Sequence, residues 1–137
     1  MKLRVYLYTT VRILFGVFLV LHSMYNVILY ADFLQGLEMY FTKTTLFDYE
    51  FVKTFAPLVP FEEFTIGLFL IIGFSTRRVL MGAALLFSFL VFFLLDANSI
   101  NLSLIHLVFF LISFILWKKE HYNLKSMDYS RGVHVMV

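Results

Sequence analysis

The chain has 137 residues, 61% of them hydrophobic and 15% charged, with a mean hydropathy of +0.88 and a formal net charge of +2. A soluble domain is about half apolar, so this composition describes a single membrane-embedded domain. With no cysteine, the chain is excluded from disulfide, thiolate-metal and thiol redox chemistry.

In chain order, a short basic head with Lys2 and Arg4 precedes an apolar run from Tyr8 to Tyr30. This run is too long for a signal-peptide core and has no small-residue cleavage site after it, so it reads as a first transmembrane helix. Residues 31–59 form the longest connection, with Asp32, Glu38, Lys43, Asp48, Glu50 and Lys53. Within it Phe33, Leu34, Leu37, Tyr40 and Phe41 recur at helical spacing, which predicts an amphipathic helix lying on the membrane surface.

Pro57 and Pro60 punctuate the approach to a second span over 60–75. That is short against the ~20 residues a bilayer requires, so the span starts a few residues earlier or the bilayer thins around it. The link from Ser75 to Arg78 permits only a hairpin into a third span over 79–95. A polar turn from Asp96 to Ser99 leads to a fourth span over 100–117, and a basic tail follows.

Charge fixes the expected orientation. With four spans, the head, the link after the second span and the tail share one side. They hold Lys2, Arg4, Arg12, Arg77, Arg78, Lys118, Lys119, Lys125 and Arg131, nine of the 11 basic residues. Seven of the nine acids fall on the other side, namely Asp32, Glu38, Asp48, Glu50, Glu62, Glu63 and Asp96. This is the positive-inside pattern, and it predicts cytoplasmic N and C termini. The expected architecture is an all-α integral membrane four-helix bundle with a surface helix in the first loop.

The stretch from Glu63 to Arg78 carries the pattern E-x3-G-x5-G-x2-T-R on Glu63, Gly67, Gly73, Thr76 and Arg77. It resembles the second-helix signature of the DoxX family of small four-helix bacterial membrane proteins. The first helix adds Arg12, Gly16 and His22 at the spacing R-x3-G-x5-H. Ser23 and Asn26 stand where members of that family tend to have Gly and Lys, and the tail lacks their frequent Gly-rich segment. The resemblance covers residues 10 to 117. It implies a bacterial inner-membrane location and a link to quinone-dependent oxidoreductases, oxidative-stress complexes or the maturation of redox enzymes.

Four polar residues in the spans are the candidates for chemistry. Glu63 has two readings: an acid suited to the first turn of a helix after Pro60, or a catalytic group that exchanges protons with a ligand. His22 and His106 fall at similar depth in the half of the bundle away from the basic ends. They can hold a quinone head group or a b-type haem, or they are interhelical hydrogen-bonding groups. Asn26 lies one turn from His22 and extends the same polar face. Arg12 is expected to snorkel toward phosphates at the membrane surface. Glycines at 16, 67 and 73, with Ser23, are expected to let helices approach closely.

The chain has no phosphate-binding loop, HExxH motif or nucleophile elbow, and its basic residues form no nucleic-acid patch. No metal site is expected. The first functional expectation is a membrane subunit of, or accessory to, a quinone-linked oxidoreductase. There Glu63 is catalytic, and His22, Asn26 and His106 bind the cofactor. The alternative is a non-catalytic scaffold or assembly partner in a larger complex. Transport of a small solute or lipid comes third, because four spans must oligomerise to build a path. The expected partners are the lipid bilayer and either protein subunits or further copies of this chain.

Overall fold

The computed structural model describes residues 2–45 and 50–125. Asp48 and Arg131, used in the charge partition, lie outside the described residues. Among the described residues there are six α-helices: α1 (Lys2–Ile28), α2 (Tyr30–Lys43), α3 (Glu50–Phe55), α4 (Val59–Ile72), α5 (Thr76–Asp96) and α6 (Ile100–Lys118). A single 3₁₀ turn, Ala56–Leu58, joins α3 to α4. Four helical segments are long and apolar enough to cross a membrane: α1, the run Lys53–Ile72, α5 and α6.

The start of the first helix differs from the sequence reading, and the earlier start allowed for the second span is what the structure has, each for a local reason. The basic head is not a separate tail. It forms the first turns of α1, which at 27 residues is about 40 Å long. The second span begins before Pro60, because Pro57 and Pro60 each occupy the first turn of a helical segment, where a missing N–H costs nothing.

Gly73 ends α4 in the left-handed conformation, at φ 72°. Its N–H and that of Phe74 both donate to the Phe69 carbonyl, at 2.8 and 3.0 Å. Gly73 is therefore a helix stop rather than a packing glycine. The hairpin link is Gly73–Ser75, and Thr76 to Arg78 already belong to α5. At the other end of α5, Asn98 takes the left-handed role at φ 58°, and the Ser99 N–H reaches back to the Leu94 carbonyl at 2.8 Å.

α1 packs along α4, and α5 along α6. The first pair is antiparallel: Arg12 meets Leu70, Gly16 meets Gly67 and His22 meets Glu63. At the crossing the backbones touch. A Cβ on Gly16 would lie 2.8 Å from the Gly67 carbonyl oxygen, and one on Gly67 2.7 Å from that of Gly16. A centre of Phe15, Leu19, Leu70, Leu80, Phe87 and Phe109 joins the two pairs.

Lys2, the Gly73–Ser75 turn and Lys118 share one end of the bundle. Arg12 Nη1 donates to the Leu70 carbonyl at 2.7 Å, and the Tyr8 hydroxyl to the Leu116 carbonyl at 3.1 Å. α2 lies at the opposite end and is tied at both of its ends. The Tyr30 hydroxyl donates to the Pro57 carbonyl at 2.9 Å. The Thr45 N–H and hydroxyl donate to the two carboxylate oxygens of Asp96, at 2.9 and 3.0 Å.

Candidate functional site

Glu63 stands one helical turn before Gly67, on the face of α4 that meets α1. Without the glycine contact the two helices would separate and the reach from α1 to Glu63 would open. With it, His22 Nδ1 lies 2.9 Å from Glu63 Oε2, and the carboxylate is 1% exposed. One proton sits in that contact, on the imidazole or on the carboxyl, and either position makes the bond.

The other carboxylate oxygen faces α6. His106 Nε2 is 3.9 Å from Glu63 Oε1, too long for a hydrogen bond. The orientation of this imidazole is set from behind. Its Nδ1–H donates to the Leu102 carbonyl at 2.8 Å, since a carbonyl can only accept. In the neutral ring Nε2 is then a bare lone pair directed at the gap beside Glu63. Glu63 is thus bracketed by two imidazoles, one bonded and one held just out of reach.

These groups close one end of a cavity of about 330 Å³. His22, Asn26, Glu63 and His106 all line it. Its walls are mainly apolar, with Val59, Leu90, Phe93 and Leu102 among them, and α2 covers it with Phe33, Gly36 and Leu37. Below the imidazoles the core is plugged by rings. Phe15, Phe87 and Phe109 have centroids 5.3 to 6.3 Å apart, and Phe109 lies 6.0 and 5.5 Å from His22 and His106. The polar groups therefore face the α2 end of the bundle and are sealed from the basic end.

No family model, curated protein or solved structure matches the chain. The site must be read from its own chemistry.

A b-type haem does not fit it. Glu63 stands at the imidazole nitrogens that face each other, 2.9 Å from His22 Nδ1 and 3.9 Å from His106 Nε2, where an iron would need open space. Among the described residues no group of three His, Cys, Asp or Glu is placed to hold a metal ion. The cavity has apolar walls and several polar lining groups, His22, Asn26, Glu63 and His106 together with Asp32 and Tyr40 of α2.

Two polar lining residues were missed in the sequence: Asp32 and Tyr40. Asp32 and Tyr40 sit on α2 with the apolar residues that predicted that helix. The only signal for them was the helical spacing itself, which does not say what the helix covers.

Arg12 lies where snorkelling was expected, and it does something else. It is 1% exposed. Besides Leu70, it donates through Nη2 to the Lys125 carbonyl at 2.8 Å. The Leu70 carbonyl belongs to the last turn of α4, whose final carbonyls lack helical partners. A buried guanidinium satisfies one of them and opposes the helix dipole.

Proposed function

We propose that this chain is a small multi-pass subunit of, or accessory to, a quinone-linked membrane oxidoreductase. In this reading it belongs with DoxX-like proteins of the bacterial inner membrane, has both termini in the cytoplasm, and lays α2 on the opposite surface as an amphipathic helix. The observation that carries the proposal is a buried carboxylate with an imidazole at each oxygen, closing an apolar cavity.

A bound quinone supplies a couple of two electrons and two protons, the electrons exchanging with a redox centre of a partner subunit. With the His22–Glu63 proton held at Oε2, the carboxylate can accept the proton of a quinol hydroxyl placed beside Oε1. His106 Nε2 accepts the hydrogen bond of a ring hydroxyl, or its proton. Asn26 offers an amide to the far side of the ring. The aromatic plug below keeps water and protons from entering through the basic end, so exchange runs through the α2 end.

The test is binding of a short-chain benzoquinol to the purified protein, read by calorimetry. Binding is expected in the wild type and a loss of about tenfold or more in Glu63→Gln and in His106→Phe, equivalent to about 1.4 kcal/mol or more. No binding to the folded wild type would overturn the proposal. That outcome would favour the scaffold reading, in which the His22–Glu63 bond only ties α1 to α4.

A further inference from the structure

The basic end of the bundle carries a second concavity, separate from the cavity around Glu63. A groove of about 440 Å³ runs between the first turns of α1 and the last turns of α6. Leu7 and Val11 line it from α1 and Ile115 from α6. These side chains are 55%, 44% and 56% exposed. Its rim holds Arg4, Lys119 and Tyr122.

The rim is built for an anion. Arg4 Nη1 donates to the Tyr122 hydroxyl at 3.1 Å, which fixes the guanidinium over the groove. Its other N–H groups and the Tyr122 O–H remain as donors. Lys119 makes no ion pair among the described residues, and none of the groove's lining residues is acidic. A guanidinium and an ammonium on one rim suit a phosphate, which takes the planar fork of Arg and the point charge of Lys together.

The wall adds the second half of the argument. Arg4, Leu7 and Val11 follow one another at helical spacing on one face of α1, and Ile115 of α6 is followed at the same spacing by Lys119, just past the end of that helix. Each stripe runs from a cation at the bundle end to an apolar side chain deeper in the bundle. An inorganic anion needs the cations alone. A molecule with a phosphate at one end and a hydrocarbon chain at the other uses both parts.

We propose that this groove holds an anionic phospholipid. Its phosphate is clamped by Arg4, Lys119 and Tyr122, and one acyl chain lies along Leu7, Val11 and Ile115. The assignment is independent of any reading of the Glu63 cavity.

The test is native mass spectrometry of the purified full chain in mild detergent. It is supplied with phosphatidylglycerol or with phosphatidylcholine of the same acyl composition. One phosphatidylglycerol per chain is expected to be retained, with phosphatidylcholine held about tenfold less. The double variant Arg4→Gln with Lys119→Gln should lose that preference by about tenfold or more, since each cation near an anionic lipid is worth about a factor of five. Val11→Asn leaves the charges in place and should weaken retention of both lipids. Millimolar inorganic phosphate should displace neither. Equal retention of the two lipids, full preference in a folded double variant, or displacement by inorganic phosphate would each overturn the assignment.

Discussion

Arg12 and Glu63 lie toward opposite ends of the seam between α1 and α4, and each is 1% exposed. Their surroundings differ. Arg12 donates to the carbonyls of Leu70 and Lys125, groups that cannot change protonation and need a donor in any state. Glu63 is met by two imidazoles, which can gain or lose a proton, and it borders a cavity. The same burial therefore marks a structural charge in one place and a candidate chemical site in the other. What distinguishes them is whether the partners can titrate and whether a ligand has room to reach the charge.

The largest loss of stability is expected from Arg12→Met. The buried Leu70 carbonyl would lose its donor and α4 would lose a cation at its negative end. Unsatisfied buried polar groups cost ~1–3 kcal/mol each, so a loss on the order of 3 kcal/mol is expected across both carbonyls. Equilibrium unfolding in mixed micelles measures it. A variant as stable as the wild type would mean that Arg12 is not what closes this end of the seam.

Next comes Gly67→Ala. The added methyl would fall 2.7 Å from the Gly16 carbonyl oxygen and 2.8 Å from Val20 Cγ2. The backbone contact cannot yield without parting the helices, and overpacking of this kind costs ~1–3 kcal/mol. The parting also lengthens the 2.9 Å contact from His22 to Glu63, so ligand binding should fall together with stability. A loss of stability with binding intact would show that the site does not depend on the glycine crossing.

Much of this was legible in the sequence, and what was not has physical causes. Hydropathy located the long apolar helices, because apolar length is a property of each segment alone. Turn chemistry located the hairpins, although Gly73 was taken for a packing residue when it stops α4. The signal was present: an apolar run ends at Gly73, and a Ser-Thr pair begins the next helix after it. Arg12 was read as a snorkelling side chain because the chain before it looked like a short head. Once α1 begins at Lys2, ten residues of helix lie between Arg12 and that end. That His22, Asn26, Glu63 and His106 share one depth and could line one pocket was legible, but that the two imidazoles face each other across Glu63 was not. It depends on the rotation and register of three helices, and the register of the first two is set where Gly16 touches Gly67.

Glu63→Gln acts at the other end of the seam. The amide keeps the shape and can still bond to His22, so the expected change in stability is within ~1 kcal/mol. Benzoquinol binding should fall by about tenfold or more, because with the amide oxygen bonded to His22 the NH2 faces the cavity and cannot accept a quinol hydroxyl. Arg12→Met and Glu63→Gln therefore have opposite profiles: the first reduces stability, and the second reduces binding in a stable fold. If Glu63→Gln instead unfolds the protein as Arg12→Met does, the carboxylate is structural as well, and the two ends of the seam do not differ in kind.

The smallest effect is expected at Gly82, and its sign carries the argument. Gly82 lies inside α5, where a Cβ would meet nothing within 4 Å. Ala is the better helix former by ~1 kcal/mol, because glycine loses more backbone freedom on folding. Gly82→Ala should therefore stabilise the bundle slightly, by ~0.5–1 kcal/mol, whereas the same substitution at Gly67 destabilises it. The contrast separates a glycine required by a helix crossing from one that the folded chain tolerates. A loss of stability at Gly82 comparable to that at Gly67 would place another helix against this face of α5. Among the described residues nothing lies within 4 Å of a Cβ there, so such a helix would come from outside them, as from a second copy or a partner subunit.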